Sequence, residues 1–251
     1  MLYFHRREEC MKYLFDLHTH TIASGHAYST LQENIAAARD AGLKYYGFSD
    51  HTGSDHQDAF RNSWFTNFKV IPREIYGVHV LRGAETNLID YEGHYDLSHK
   101  TAAKLDYMIL SIHGNTYETS TAEVNTESLI KAMKDPYVRI IGHPDDGRFP
   151  LLAEPLAAAV RENGVLLELN NSSLREGTHR TNTRENNLEL LRACMKCGTM
   201  ICLGSDAHIS FDVGRFREAE TLLEETGFPD ELIANLTEEG LSRIIGDKKA
   251  Y

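Results

Sequence analysis

Seven apolar strand patterns alternating with helix patterns predict a single α/β domain whose parallel strands close into a barrel. Three observations carry that prediction. The length of 251 residues suits one (β/α) barrel, and no repeat or low-complexity linker divides it. Each strand pattern is followed by a helix pattern, which gives parallel pairing with right-handed crossovers. Six of the seven strand patterns end in a residue able to hold a metal ion, at the end where such barrels carry their sites.

The elements follow in order. Residues 1–12 read as an N-terminal extension, with the barrel domain over 13–251 and Met11 a natural start. The first strand, 13–17, runs into Asp16-Leu17-His18-Thr19-His20. Ser29-Thr30 with Glu33 opens a helix that carries Leu31, Ile35, Ala38 and Ala41 on one face and stops at Gly42. Strand 45–49 ends in Asp50-His51, followed by a polar loop (52–62) and an aromatic-rich helix near 63–76, whose Trp64, Phe65 and Phe68 pack on the barrel. Strand 78–83 ends at Glu85, and 88–95 adds a small hairpin turning at Glu92-Gly93. Strand 107–111 leads to His113, and a helix near 126–134 leads to strand 139–142 and His143.

A helix over 153–162 stops at Asn163-Gly164. Strand 165–169 ends in Asn170-Asn171-Ser172-Ser173, and helix 184–196 stops at Gly198. Strand 200–203 ends in Gly204-Ser205-Asp206-Ala207-His208. A last barrel helix over 214–225 and a cap over 229–245 complete the chain.

Composition excludes several classes of function. The net charge of −11 repels nucleic acid and anionic membrane, so neither is an expected partner. No apolar run approaches 18 residues, and the basic residues near the N-terminus precede no apolar stretch, so the expected location is the cytoplasm. Cys194 and Cys197 form a C-x-x-C spacing late in a helix without a second pair, which reads as reduced thiols.

The chemistry lies in the histidines. Alternation along a strand puts His18 and His20 on one face, where both imidazoles can meet one ion. Adding His26, His51, Glu85, His113, His143, Asp206 and His208 gives nine candidate ligands, more than one tetrahedral ion uses. Imidazole suits zinc, manganese and iron, and a carboxylate can bridge two of them. Asp16 and Asp50 stand beside ligand positions and are candidates to accept ring N–H bonds, with strand-end capping or a surface salt bridge as an equal alternative. Arg148, Arg175, Arg180 and Arg184 are candidate phosphate contacts, with Arg148, Arg180 and Arg184 taken as the substrate-binding set. His56 and His179 are the non-ligand histidines expected to touch substrate.

Taken together and in order, Asp16-Leu17-His18-Thr19-His20, Ser49-Asp50-His51, Glu85, His113, His143-Pro144 and Gly204-Ser205-Asp206-Ala207-His208 resemble the PHP (polymerase and histidinol phosphatase) domain family. The resemblance covers residues 13–246, and the segments around His26 and Asn170-Asn171 are most similar to its YcdX-like phosphatases. It implies a distorted (β/α)7 TIM-like barrel with three divalent metal ions, zinc first, with manganese or iron as alternatives. Carried over residue by residue, the first ion takes His18, His20, Glu85 and Asp206. The second takes Glu85 as a bridge with His113 and His143, and the third takes His26, His51 and His208.

The activity so implied is hydrolysis of a small-molecule phosphomonoester by a metal-bridging hydroxide, with Glu85, Asp206 and His113 as catalytic residues. Asp206, a metal-bound water or an unligated histidine are the candidates to protonate the leaving oxygen. Trimers among similar proteins make a homo-oligomer an open expectation. Alternatives are an amidohydrolase or deaminase, a histidinol-phosphate or protein-tyrosine phosphatase within the family, and, last, a non-catalytic metal-binding protein. Glu85 stands where amidohydrolases often carry a lysine, and no basic groove supports a nuclease.

Overall fold

The computed structural model describes residues 13–53 and 61–246. The expected N-terminal extension and His56 lie outside the described residues. Nine strands are described: β1 (Phe15–Asp16), β2 (Tyr45–Phe48), β3 (Glu74–Ile75), β4 (Val78–Arg82), β5 (Glu85–Asn87), β6 (Met108–Ser111), β7 (Val138–Ile141), β8 (Leu166–Asn170) and β9 (Ile201–Gly204). The helices are α1 (Leu31–Asp40), α2 (Arg61–Thr66), α3 (His99–Ala102), α4 (Ala122–Ala132), α5 (Ala153–Asn163), α6 (Thr183–Cys197), α7 (Arg217–Thr226) and α8 (Glu238–Ile245).

The strands form two ladders, β1-β2-β4-β3 and β5-β6-β7-β8-β9, parallel throughout except for the short β3. Two one-residue parallel bridges join the ladders, His51 to Glu85 on one side and Thr19 to Ala207 on the other. At the first seam Glu85 N donates to Asp50 O (3.2 Å), and at the second Asp206 N donates to His18 O (2.8 Å). The result is a distorted barrel of seven staves, with β4 and β5 sharing one stave. The apolar pattern predicts that stave as one strand, 78–83, ending at Glu85. It breaks at Gly83-Ala84, where a side chain on residue 83 would run into the Tyr107 ring. Tyr107 lies buried inside the barrel and donates from its hydroxyl to Leu17 O (2.6 Å).

Helix starts follow local chemistry. Thr30 and Glu33 form the expected reciprocal capping box of α1. Helix α4 begins at Ala122, four residues before the expected 126, because Thr121 caps it by accepting from Val124 N. The expected 63–76 helix is replaced by α2, a 3-10 turn over Phe68–Val70 and then β3. Pro72 explains this: the residue before it, Ile71, is extended (φ −81°, ψ 125°), as a proline requires of its predecessor. Phe65 and Phe68 are still buried, and Phe68 meets Phe48 edge-on at 4.8 Å.

Two apolar layers result. The larger fills the space between barrel and helices. The smaller lies inside the barrel and is closed from below by the cap: Phe15, Tyr45, Leu81, Tyr107, Ile140, Leu166 and Cys202 pack with Leu241, Ile244 and Ile245 of α8. Among the described residues, no helix is long and apolar enough to cross a membrane.

Candidate metal centre

Every residue proposed as a ligand lies just beyond the C-terminal end of a stave or in the loop that follows, except Glu85, which opens β5. β1 delivers His18 and His20, β2 His51, β5 Glu85, β6 His113, β7 His143 and β9 Asp206 and His208; His26 lies in the loop after β1. Glu85 is the centre of the group. Its Oε2 lies 3.4 Å from His18 Nε2, 3.4 Å from His20 Nε2 and 3.0 Å from His51 Nδ1. Its Oε1 lies 2.9 Å from His143 Nε2 and 3.6 Å from His113 Nε2. One carboxylate thus turns each oxygen to a different set of imidazoles.

Asp206 completes the first set, with Oδ1 3.3 Å from His20 Nε2 and 3.7 Å from His18 Nε2. Two atoms bound to one tetrahedral ion at about 2.1 Å lie about 3.4 Å apart. The His18, His20, Glu85 and Asp206 spacings bracket that value. His208 Nε2 and His26 Nε2 meet at 2.8 Å, and His208 also groups with His20 and His51. His26 and His51 stack with ring centroids 5.2 Å apart. His20 therefore stands between the first set and the outer histidines, where the resemblance separates them.

The donor set fits metal ions on three observations. His18 Nε2, His20 Nε2 and Glu85 Oε2 are buried and make no hydrogen bond, a cost that a bound ion would remove. The rings are anchored from behind: His18 Nδ1 donates to Glu168 Oε1 (2.6 Å) and His113 Nδ1 to Asn87 Oδ1 (2.6 Å). His26 Nδ1 donates to Ser24 O (3.1 Å) and His208 Nδ1 to Asp206 O (3.0 Å). Such bonds place the ring proton on Nδ1 and turn Nε2 toward the cluster. Finally, His143 (φ 27°) and Asp206 (φ 53°) sit in the left-handed region that non-glycine residues avoid. That strain at two of the nine positions marks a site whose geometry is imposed by its surroundings.

Charge states divide the cluster. Burial pushes His20 down to about 4, His113 down to about 3 and His51 well below its usual range, so all three imidazoles are neutral at pH 7, the form a metal ion requires. Burial acts the same way on His18, but the carboxylates of Glu168, Glu85 and Asp206 outweigh it and raise that ring. Burial would raise Glu85 and Asp206, yet the charges around them, His18 foremost, hold both well below the usual carboxylate range.

Among the described residues, neither aspartate accepts an imidazole N–H; both take the alternative role of capping backbone N–H groups at strand ends. Asp16 accepts from Ser205 N (3.2 Å) and Gly214 N (2.9 Å), tying the loop after β9 to β1. Asp50 accepts from Thr21 N (2.7 Å) and Ser24 Oγ (2.8 Å), and that same hydroxyl accepts from His20 Nδ1 (3.0 Å). Asp50 thus orients His20 through Ser24, not by direct contact. Sequence reasoning missed Glu168 altogether. A lone glutamate inside the apolar run of β8 was the available signal, because a charge on a buried strand requires partners.

A cavity of about 750 Å³ opens over the cluster, with Asn115, Arg148, Arg175, His179 and Arg180 around it. Its described lining holds no aliphatic or aromatic side chain other than histidine. Each arginine has a carboxylate partner. Arg148 grips Asp146 (2.5 Å), Arg175 grips Asp212 (2.6 Å) and Arg180 grips Asp206 (3.0 Å). Arg184 pairs with Glu225 and is not among the lining residues.

A barrel that gathers histidines and a shared carboxylate at its C-terminal end defines the class of metal-dependent hydrolases. The chain belongs to the PHP domain family, whose domain matches residues 16–172. It is 41% identical over 238 residues to a probable phosphatase of Clostridium novyi (strain NT), covering 95% of this chain and 96% of that protein. It is 43% identical over 239 residues to a probable phosphatase of Acetivibrio thermocellus, covering 95% and 98%. The histidinol phosphate phosphatase of Lactococcus lactis, crystallised with zinc, L-histidinol and phosphate, shares the fold: TM-score 0.54, 16% identity, 87% of this chain and 95% of that one.

Proposed function

We propose that this protein is a trinuclear metal-dependent phosphatase acting on small-molecule phosphomonoesters. The observation that carries the reading is the two-sided environment of Glu85, whose oxygens face separate imidazole sets while Oε2 lacks any hydrogen bond. His18, His20, Glu85 and Asp206 would hold one ion, Glu85, His113 and His143 a second, and His26, His51 and His208 a third. Zinc is the first choice, since neutral imidazoles with carboxylates suit it, while manganese and iron accept the same donors. Divalent ions bound there would bring a water to a pKa near neutrality and offset the charge of a phosphate.

The chain's own groups do the rest. Glu85 keeps the two imidazole sets in register. Arg180 fixes the Asp206 carboxylate through Oδ2, leaving Oδ1 for the cluster. Because Asp206 is held ionised, it serves as a ligand and not as the proton donor to the leaving oxygen. Arg148, at the cavity rim and partly exposed, is the guanidinium available to reach a phosphate oxygen. The polar lining favours a hydrophilic leaving alcohol over an aryl one. All nine ligand positions come from one chain, so the reading needs no second copy. Cys194, Cys197 and Cys202 are free thiols, which supports the cytoplasm as the site of action.

The test is phosphate release from a panel of sugar, polyol, amino-alcohol and aryl monoesters, with L-histidinol phosphate and a phosphotyrosine peptide included. Protein loaded with zinc or manganese should release phosphate, and chelator-stripped protein should not until metal is returned. Bound metal without release from any monoester would overturn the reading.

A further inference from the structure

Glu168 is a buried carboxylate that belongs to none of the proposed ligand sets, yet it touches two of them. Its Oε1 accepts from His18 Nδ1 (2.6 Å). Its Oε2 accepts from the main-chain N–H of His143 (2.7 Å) and from Asn170 Nδ2 (3.1 Å). His18 faces one oxygen of Glu85 and His143 faces the other. A single side chain therefore ties together the two halves of the cluster from behind. Asn170 Nδ2 extends the tie to Asp206 Oδ2 (3.2 Å).

Two further features are explained by this contact. His143 has φ 27°, a strained conformation that needs a strong partner to hold it, and the bond from its N–H to a carboxylate supplies one. Gly204, opposite Asn170 on β9, lies under the Glu168 carboxylate. Any Cβ at that position would collide with Glu168 Oε1 and come within 2.9 Å of His18 Cβ. Gly204 in this strand thus leaves room for the Glu168–His18 pair. Both Glu168 oxygens are already committed to donors, so the residue is not itself a ligand.

We infer that Glu168 is a positioning residue of the metal centre: it fixes the Nδ1–H tautomer of His18 and the main chain of His143 at once, so that one ligand from each side meets Glu85. This rests on the metal-centre reading above. A glutamine at 168 cannot replace it. If the amide oxygen faces His18, the NH2 group confronts the His143 N–H. If the NH2 group faces His18, that ring must move its proton to Nε2 and cannot ligate.

The test is zinc titration of the metal-free protein against a chromophoric chelator, with the visible spectrum of the cobalt-substituted protein as a second readout. Wild type should bind zinc. Glu168→Gln should bind it about 10- to 100-fold more weakly, the range for loss of a ligand-orienting partner, with an altered cobalt spectrum. Gly204→Ala, which displaces the carboxylate without removing its charge, should do the same. Should either variant fail to fold, ring nitrogen-15 NMR of the wild-type zinc protein decides: the proton of His18 must reside on Nδ1. Zinc affinity within twofold of wild type in both folded variants, or a proton on His18 Nε2, overturns the inference. Failure of wild type to bind zinc would instead overturn the metal centre itself.

Discussion

At the N-terminal end of the barrel, successive staves give apolar side chains to a plug: Phe15, Tyr45, Leu81, Tyr107, Ile140, Leu166 and Cys202, closed by Leu241, Ile244 and Ile245 of α8. A few residues further along, the same staves give His18, His51, Glu85, His113, His143, Glu168 and Asp206 to the other end. The first end satisfies every requirement of a folded core. The second keeps buried polar atoms without hydrogen bonds and two of the proposed ligands in strained backbone. Both are costs to the metal-free fold. The contrast teaches that the plug and the helix layer stabilise a scaffold on which the upper end can carry unsatisfied groups of the kind a metal ion would take up.

The division is sharpest at Glu85. Glu85→Ala should lower phosphate release on the order of 10³-fold or more, because it removes the one carboxylate facing both imidazole sets. Far-UV circular dichroism should be unchanged, since the apolar layers are untouched. Release near the wild-type rate would break the comparison at its upper end. Ile244→Ala is the mirror experiment. Ile244 is fully buried in the plug. Its truncation should cost about 2–5 kcal/mol by urea denaturation. Turnover of the folded protein at 25 °C should stay within twofold. A large loss of turnover there would show that the two ends are coupled.

How far the sequence carried the fold follows from the same division. Apolar runs closed by a ligand-type residue mark six staves directly, because each stave must serve both ends. The break within the β4–β5 stave was not legible, since it depends on the Tyr107 ring approaching Gly83. The helix expected over 63–76 failed where Pro72 overrode an aromatic helical pattern. In the site, the candidate ligands converge, but their supports do not show in the sequence. Glu168 meets His18 across 150 residues, Asn87 meets His113 across 26, and Arg180 meets Asp206 across 26. Those partnerships are set by stave order, which periodicity alone does not reveal.

Arginines sharpen the comparison at smaller scale. Arg180 is nearly buried and donates to Asp206 Oδ2 (3.0 Å), Asn170 Oδ1 (3.2 Å) and Ser173 Oγ (2.9 Å). Arg180→Lys keeps the charge but loses the fork that reaches three acceptors. It should lower kcat about tenfold, at the lower end for loss of a ligand-orienting partner. An effect on KM alone would make Arg180 a substrate contact instead.

Arg184 should give the smallest effect. It was an equal candidate for phosphate by sequence, lying near the same polar loop. Its guanidinium is about half exposed and pairs with Glu225, joining α6 to α7 on the outer helix layer. An exposed pair of this kind contributes little to stability, because both charges are well solvated and screened. Nor does Arg184 line the cavity over the cluster. Arg184→Ala should therefore leave kcat, KM and the melting temperature close to wild type, with KM within twofold across the monoester panel. A rise in KM confined to the larger esters would mean that substrate reaches past the rim onto α6. The upper end of the barrel would then extend into the helix layer, and specificity would have to be sought there as well as around Arg148 and His179.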